Sequence, residues 1–362
     1  MNNLKVFKNS RVIVTGHTGF KGSWLSLWLK SLGAKVIGLS IDIPSHPSHF
    51  KVLNLQKKIT HKKIDIRNLK LLKKAFKKYQ PDYVFHLAAQ SLVKRSYLDP
   101  VYTWETNTIG TLNVLESLRQ LKKKCVAILI TSDKSYKNLE INRGYKENDI
   151  LGGKDPYSGS KGAAEFAIQS YISSFFPKKK TNIFIGIARA GNVIGGGDWS
   201  QDRLIPDCVK SWSRNKKVLI RNPKSTRPWQ HVLEAVSGYL IFAMNLKKNK
   251  NLHGEAFNFG PNSSNNYNVI SLIKLMKKNW KKISWKFEKK NKKVFYESNL
   301  LKLNSNKAKS KLKWQSILKF GETIYMVSNW YKNYYLKPQK AYQISFDQIK
   351  KYERLLIKRL IR

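Results

Sequence analysis

One short turn constrains this chain more than any other feature. Arg11-Val-Ile-Val14 is a β-branched run that reads as a strand. It stops at Thr15-Gly16-His17-Thr18-Gly19-Phe20-Lys21-Gly22, and Ser23 to Leu32 then reads as an amphipathic helix. Glycines at three-residue spacing between a strand and a helix meet three separate needs. One allows a tight turn, one lets backbone approach a pyrophosphate, and one lets the helix lie close to the strand. The helix N-terminus then presents free N–H groups to phosphate. Lys35-Val-Ile-Gly-Leu-Ser40 supplies a second strand. The unit predicts a dinucleotide site in which Gly16, His17, Thr18, Gly19, Phe20, Lys21 and Gly22 surround the phosphates.

The tip of the second strand bears on which dinucleotide is bound. An acidic residue there favours NAD, a basic one NADP. Here Asp42 follows Ser40 by two residues and no Arg succeeds it, so NAD is expected. Asp65-Ile66 follows a third short strand; Asp65 either reaches an adenine amino group or caps the next helix. Tyr83-Val-Phe-His-Leu-Ala-Ala89 reads as a fourth strand. Its end, Leu87, Ala88 and Ala89, is small enough for a cofactor to lie across. Val126-Ala-Ile-Leu-Ile130 is a fifth. Short apolar strands alternate with helices such as Glu105 to Leu118. That alternation predicts an α/β fold, a Rossmann-like doubly wound parallel sheet with ligands at the strands' carboxyl ends.

Three segments are expected. Residues 1–187 form the NAD-binding Rossmann domain. Residues 188–335 form most of a smaller C-terminal substrate-binding α/β lobe, partly interleaved with the first, and 336–362 a basic helical tail. In that tail Phe346, Ile349, Tyr352, Leu356 and Leu360 recur at helical spacing, the pattern of a packing helix more than of a membrane-surface one.

Chemistry is concentrated after the fifth strand, at Thr131-Ser132-Asp133-Lys134, and at Tyr157-Ser-Gly-Ser-Lys161, which opens another helix. Tyr157 and Lys161, four apart, share a helix face. An ammonium beside a phenol favours the phenolate, which would make Tyr157 a general base near neutral pH.

With these residues in view, the chain resembles the extended short-chain dehydrogenase/reductases that act on nucleotide sugars, over about residues 8–335. Four stretches sharpen the likeness: Thr15 to Trp24, Ile130 to Lys134, Arg189-Ala-Gly-Asn-Val-Ile-Gly-Gly-Gly-Asp-Trp199 and Arg227-Pro-Trp-Gln-His-Val232. They are similar to the CDP-sugar branch of the nucleotide-sugar 4,6-dehydratases. The resemblance implies CDP-glucose as substrate, CDP-4-keto-6-deoxy-glucose as product, and a place in deoxysugar synthesis for cell-surface polysaccharide. It also implies a homodimer or homotetramer, with the helices from Glu105 and Tyr157 pairing across a two-fold axis.

The implied roles follow residue by residue. Tyr157 removes the proton from the sugar O4, and Ser132 hydrogen-bonds that oxygen. Asp133 is the acid for the departing 6-hydroxyl and Lys134 the base at C5. Related dTDP- and GDP-sugar dehydratases usually carry Glu where this chain has Lys134, and a lysine base requires a depressed pKa. Asn192 is implied at the diphosphate or adjoining sugar, where Gly195-Gly196-Gly197 would permit close backbone approach. Arg203 and Arg227 are the charged contacts to the diphosphate, since Arg binds phosphate bidentately; the alternative for each is a surface ion pair. Many relatives have Arg-Asp in the last motif, where this chain has Arg227-Pro228. Gln90 and His86 are expected to line the glucose pocket, His86 equally as a structural residue. The in-class alternatives are a 4-epimerase or a dehydratase for a dTDP-, UDP- or GDP-sugar.

Only now does composition matter. The chain of 362 residues carries a formal charge of +47, from 69 Lys and Arg against 22 Asp and Glu. Such a balance first suggests nucleic acid or an anionic membrane. The residues argue otherwise. Only 13 of the 69 are Arg, and the lysines fall in scattered pairs such as Lys73-Lys74, Lys77-Lys78 and Lys289-Lys290. In Asn68 to Gln80 the lysines lie off the stripe formed by Leu69, Leu72, Phe76 and Tyr79. Lysine is absent from 186–206, and Lys94 is the only one in 81–121, where other signals cluster. No helix-turn-helix, zinc-finger or RNP pattern appears, so neither nucleic acid nor membrane is an expected partner. The two cysteines, Cys125 and Cys208, lack metal or redox spacing; no metal is expected, and a reducing cytoplasm fits.

Overall fold

The computed structural model describes residues 2–201, 203–220, 222–261, 267–280, 283–287 and 301–360. The Lys289-Lys290 pair and the last two residues of the C-terminal segment lie outside the described residues.

Seven parallel strands form the central sheet. In chain order they are β1 (Arg11–Thr15), β2 (Lys35–Ser40), β3 (Thr60–Lys63), β4 (Tyr83–His86), β5 (Cys125–Ile130), β6 (Ile183–Ala190) and a last strand, Ala256–Phe259. Across the sheet they run Ala256–Phe259, β6, β5, β4, β1, β2, β3. The order reverses between β1 and β4, whose ends align Thr15 with His86. That reversal opens the crevice in which doubly wound sheets hold ligands. β5 and β6 are buried along their whole length, as befits strands covered on both faces.

One face of the sheet carries the Leu69–Tyr79, Gly110–Arg119 and Pro156–Phe175 helices. Leu72, Phe76, Leu115 and Ile168 pack there with Ile13, Val84 and Leu129. The Leu69–Tyr79 helix follows the sequence reading. Asn68 caps it by accepting from the Leu71 N–H, Gln80 closes it in the left-handed region, and Lys74, Lys77 and Lys78 face solvent. Because Asn68 is the cap, the capping alternative for Asp65 does not hold; Asp65 pairs with Arg67 instead.

The other face carries α1 (Phe20–Ser31) and the Val232–Lys248 helix. The sequence predicts an amphipathic α1, yet Gly22 through Leu29 are all buried. The reason lies more than 300 residues downstream. The Ala341–Leu360 helix lies over α1's outer side; the Trp28 indole N–H donates to Glu353 Oε1 (2.8 Å) and stacks edge-on with Tyr352. A helix covered on both sides needs apolar residues all round. The C-terminal segment is thus a packing helix, with Ile349, Tyr352 and Leu356 buried; the Leu360 side chain lies outside the described residues.

The predicted Glu105–Leu118 helix starts earlier. Pro100–Trp104 leads into a π-helical turn, Glu105–Ile109, and then Gly110–Arg119. Asn107 sits in that turn. Its side chain accepts from the Gln90 N–H and donates to the Gln90 carbonyl and to Ser160. A π-turn is a common solution where a helix must aim a side chain at a site.

Beyond β6 the chain forms a smaller α/β region. Its helices are Leu204–Ser213 and Val269–Asn279, and its strand pairs include Val218–Ile220 with Trp285–Phe287 and Thr226–Arg227 with Tyr267–Asn268. Val193–Ile194 pairs with Gln230–His231, which joins this region to the end of β6.

Candidate active site

The glycine turn is built by close contact. Gly16 has φ +72°, and a Cβ there would lie 2.7 Å from the Ala88 nitrogen at the end of β4. A Cβ on Gly22 would lie 2.1 Å from the Gly16 carbonyl oxygen, so α1 seats directly on the turn. Gly19 has only that oxygen nearby, at 3.3 Å, and stands at the N-cap of α1 with no side-chain cap. The first-turn N–H groups of α1 are therefore available to an anion. These features fit the pyrophosphate of a dinucleotide. Half-buried Leu87, Ala88 and Ala89 line the adjoining β4 end, where the Ala88 N–H is fixed by the Thr15 hydroxyl (3.2 Å).

Other residues predicted at the cofactor have internal partners. The His17 ring lies under the turn against Gly38, bonded to Ser40 Oγ (2.9 Å) and His61 Nδ1 (2.7 Å). Burial lowers it to about 3, so it braces the turn as a neutral ring. The Thr18 hydroxyl donates to the Asp42 carbonyl, and Asp42 itself is exposed. Ile66 packs against Gly110 and gives its carbonyl to Asn113.

The residues predicted to be catalytic converge beside this turn. β5 ends at Ile130, and Asp133–Ser135 makes a tight helical turn. The Ser132 hydroxyl donates to Asp133 Oδ1 (2.9 Å), accepts from the Lys134 N–H (3.1 Å) and shares a hydrogen bond with the Tyr157 phenol. Tyr157 and Lys161 are buried in the first turns of the Pro156–Phe175 helix, which Asp155 caps. Gly191 lets the β6 loop close on the site: a Cβ there would sit 3.0 Å from Asp133 Oδ2. Lys134 is half-buried at the same turn.

Electrostatics depart from the sequence expectation at one point. The tyrosine–lysine spacing predicts a depressed phenol, but burial pushes Tyr157 up to about 12; its Ser132 hydrogen bond and Arg203 pull the other way. The same burial lowers Lys161 to about 8, with Lys21 adding repulsion and Glu165 opposing it. Desolvation penalises both charged forms and is the largest cause of each shift. Asp133 is raised by burial against the pull of Lys134, Ser132 and Lys21, which favours a proton-bearing carboxyl. Lys21, predicted at the phosphates, is lowered to about 8 by burial and by Arg203, and it feels Asp133. It therefore faces the catalytic turn as well as the glycine turn.

The substrate end is more scattered. Asn192 is exposed in the loop after β6. Arg203 is half-buried, pairs with Asp198 (3.0 Å) and acts on both Lys21 and Tyr157, which places its charge beside the catalytic pocket. Arg227 is half-buried and donates to the Thr226 carbonyl. Three expectations need correction. Gly195, Gly196 and Gly197 give close approach to side chains: a Cβ on each would strike Val232, the Trp330 ring and the His49 ring respectively. His86 is structural, held between Thr15 and Thr111 hydroxyls and kept neutral by burial. The Gln90 amide is turned inward onto Leu92 and Thr103, so it shapes its loop.

Two residues without a role in the sequence reading complete the site. Glu165 is fully buried and forms a bidentate pair with buried Arg189. Its position, four residues after Lys161 on the Tyr157–Lys161 face, is the signal that would have found it.

Comparison with known proteins finds relatives along most of the chain. The model of the family described as GDP-mannose 4,6 dehydratase matches residues 13–327. A CDP-glucose 4,6-dehydratase of Salmonella typhimurium is 43% identical over 330 residues, 90% of this chain and 91% of that protein. A dTDP-D-glucose 4,6-dehydratase of Dictyostelium discoideum is 30% identical over 72% of this chain and 60% of its own length. Among solved structures, an epimerase of Methanothermobacter thermautotrophicus superposes with TM-score 0.80 at 23% identity, covering 94% of this chain and 97% of its own. The dTDP-glucose 4,6-dehydratase of Bacillus anthracis in complex with NAD gives TM-score 0.70 at 22% identity, over 90% and 97%. These structures share the fold.

Proposed function

Because this chain belongs to the GDP-mannose 4,6-dehydratase family, we propose that it is an NAD-dependent lyase that converts CDP-glucose to CDP-4-keto-6-deoxy-glucose. The observation that carries this reading is Asp133, a carboxyl biased toward its protonated form and bonded to the serine that also holds Tyr157. A 4-epimerase exchanges hydride at one carbon and has no use for such an acid. A dehydratase needs one to release water.

The Gly16–Gly22 turn and the Leu87–Ala89 strand end would hold NAD, with Tyr157 and Lys161 alongside. When bound there, NAD supplies a reversible hydride acceptor, taking hydride from C4 and returning it to C6, with no net redox change. Tyr157 takes the O4 proton, and Ser132 and Arg203 both favour its phenolate. The resulting ketone acidifies C5–H. Lys134 is read as the base that removes that proton and gives it back to C5 as hydride returns to C6. Asp133 gives its own proton to the departing 6-hydroxyl, which leaves as water, and the O4 proton held by Tyr157 replaces it. Arg203, Arg227 and Asn192 are read as contacts to the diphosphate and adjoining sugar. Residues 1–187 would thus carry the dinucleotide, 188–335 mainly the nucleotide sugar, and 336–362 the packing helix.

No helix among the described residues is long and apolar enough to cross a membrane. The free, buried Cys125 and Cys208 suit a reducing compartment, and we read the enzyme as cytoplasmic. We also read it as a homodimer or homotetramer, because Leu98, Val101, Ile109 and Phe166 are exposed on or beside the Pro100–Arg119 and Pro156–Phe175 helices.

The test is direct. Purified protein with NAD and CDP-glucose should yield the alkali-induced near-ultraviolet absorbance of a 4-keto sugar. Parallel reactions with dTDP-, UDP- and GDP-glucose assign the base. Silence with all four overturns the dehydratase reading, and full turnover by Asp133→Asn in a 4-epimerase assay would replace it.

A further inference from the structure

We propose that the buried Glu165–Arg189 pair is the positioning device of this active site, fixing the Ser132–Asp133 turn, the Tyr157–Lys161 helix face and the loop after β6 in one mutual geometry. The proposal rests on the catalytic reading above and extends it to two residues that do not touch substrate.

Both hydroxyl partners of Glu165 flank the Ser132–Lys134 turn. Glu165 Oε1 accepts from the Thr131 hydroxyl (2.7 Å), one residue before Ser132, and from the Ser135 hydroxyl (2.9 Å), one residue after Lys134. Glu165 itself is one helical turn beyond Lys161. Arg189 Nε donates to both Glu165 oxygens (2.9 and 3.0 Å), two residues before the Gly191 that abuts Asp133. Nη2 also donates to Glu165 Oε2, and Nη1 donates to the Tyr136 hydroxyl (2.6 Å) and the Glu147 carbonyl (2.9 Å). Tyr136 donates onward to Asn258 in the Ala256–Phe259 strand.

Stability does not explain this choice. Replacing a buried ion pair by apolar residues of similar volume is often neutral or stabilising. A fully satisfied polar network instead specifies one arrangement of its members. The pair also shapes the field at Lys161. Facing that ammonium are Lys21 from α1, the neutral His86 from β4, and Tyr157 and Glu165 on its own helix. Glu165 is the one that favours its charge.

The experiment uses the full chain saturated with NAD. Glu165→Gln keeps the shape and removes the charge. We expect kcat to fall about a hundredfold, the cost of roughly 1 Å of misplacement. KM should stay within about threefold and the alkaline limb of the pH profile should move to lower pH. Arg189→Met leaves Glu165 unopposed and should move that limb to higher pH. Opposite shifts are the signature of the pair; a loss of kcat with both limbs unmoved, or no loss, overturns the proposal. If either single variant fails to fold, the Glu165→Met/Arg189→Leu double variant decides. It should melt and bind NAD like the parent yet lose about a hundredfold in kcat; parental kcat in it overturns the proposal. A parent chain inactive on every nucleoside diphosphate glucose removes the catalytic reading and this proposal with it, an outcome the unmutated control identifies.

Discussion

Two glycine clusters in this molecule look alike in sequence and do different work. At Gly16, Gly19 and Gly22 the contacts are backbone to backbone, and one glycine is left facing open space at a helix N-terminus. At Gly195, Gly196 and Gly197 the neighbours are Val232, Trp330 and His49, and the Gly196 carbonyl accepts from the Trp24 indole. In the first cluster backbone would meet the added Cβ; in the second, the protein's own side chains would. A glycine records that a Cβ would not fit. It does not record what takes the Cβ's place.

Four measurements would break or sharpen that contrast. The largest effect is shared by both clusters. His17 braces the first, His49 fills the second, and with His86 and His231 they are buried and lowered to about 3. Their unfolded value is near 6.5, so between 6.5 and 3 the unfolded chain binds more protons, and stability falls with pH. At pH 5 each ring costs on the order of 2 kcal/mol. Glu234, raised by burial to about 7, works the opposite way, as do the raised Asp133 and Glu147, while the lowered His61 and His253 act in the same sense as the four rings. Thermal melts should be flat between about pH 7 and 8 and drop steeply below pH 6; a flat profile to pH 4.5 would remove the neutral-ring account.

Gly22→Ala should come next. Its Cβ meets the Gly16 carbonyl at 2.1 Å, and backbone on both sides cannot yield. A loss of NAD affinity above about a hundredfold, or about 2.8 kcal/mol, is expected in titration. Gly196→Ala places a Cβ 2.0 Å from the Trp330 ring, which Ser345 holds through its indole N–H. Overpacking of this kind costs about 1–3 kcal/mol. The melting temperature should drop by several degrees while NAD affinity holds; an equal loss of NAD affinity would erase the distinction between the clusters. Gly19→Ala is the mildest. Its Cβ clears everything except the Gly16 oxygen at 3.3 Å, so stability should barely move and NAD affinity fall about tenfold.

Legibility followed the range of the interaction. Strands β1, β2 and β5, the stripe of the Leu69–Tyr79 helix and the spacing of Tyr157 and Lys161 depend on neighbours within a few residues, and they read directly from the chain. The burial of α1 did not, because it depends on a helix that begins at Ala341. The π-turn at Glu105–Ile109 also escaped, since Asn107 is drawn to Gln90 and Ser160, elements distant in sequence. So did Glu165, whose helical spacing was visible but whose partner, Arg189, lies 24 residues on.

By itself the sequence determined the doubly wound sheet, the glycine turn and the identity of the residues that gather at the strand ends. Those are matters of local backbone preference and periodicity. The tertiary structure alone decided which atoms crowd each glycine, that the Tyr157 phenol is raised where helical spacing argued for lowering, and that Glu165 and Arg189 link the Thr131–Ser135 turn, the Pro156–Phe175 helix and β6. Desolvation and close packing depend on everything within a few ångströms, and that neighbourhood is assembled from parts of the chain that never meet in sequence.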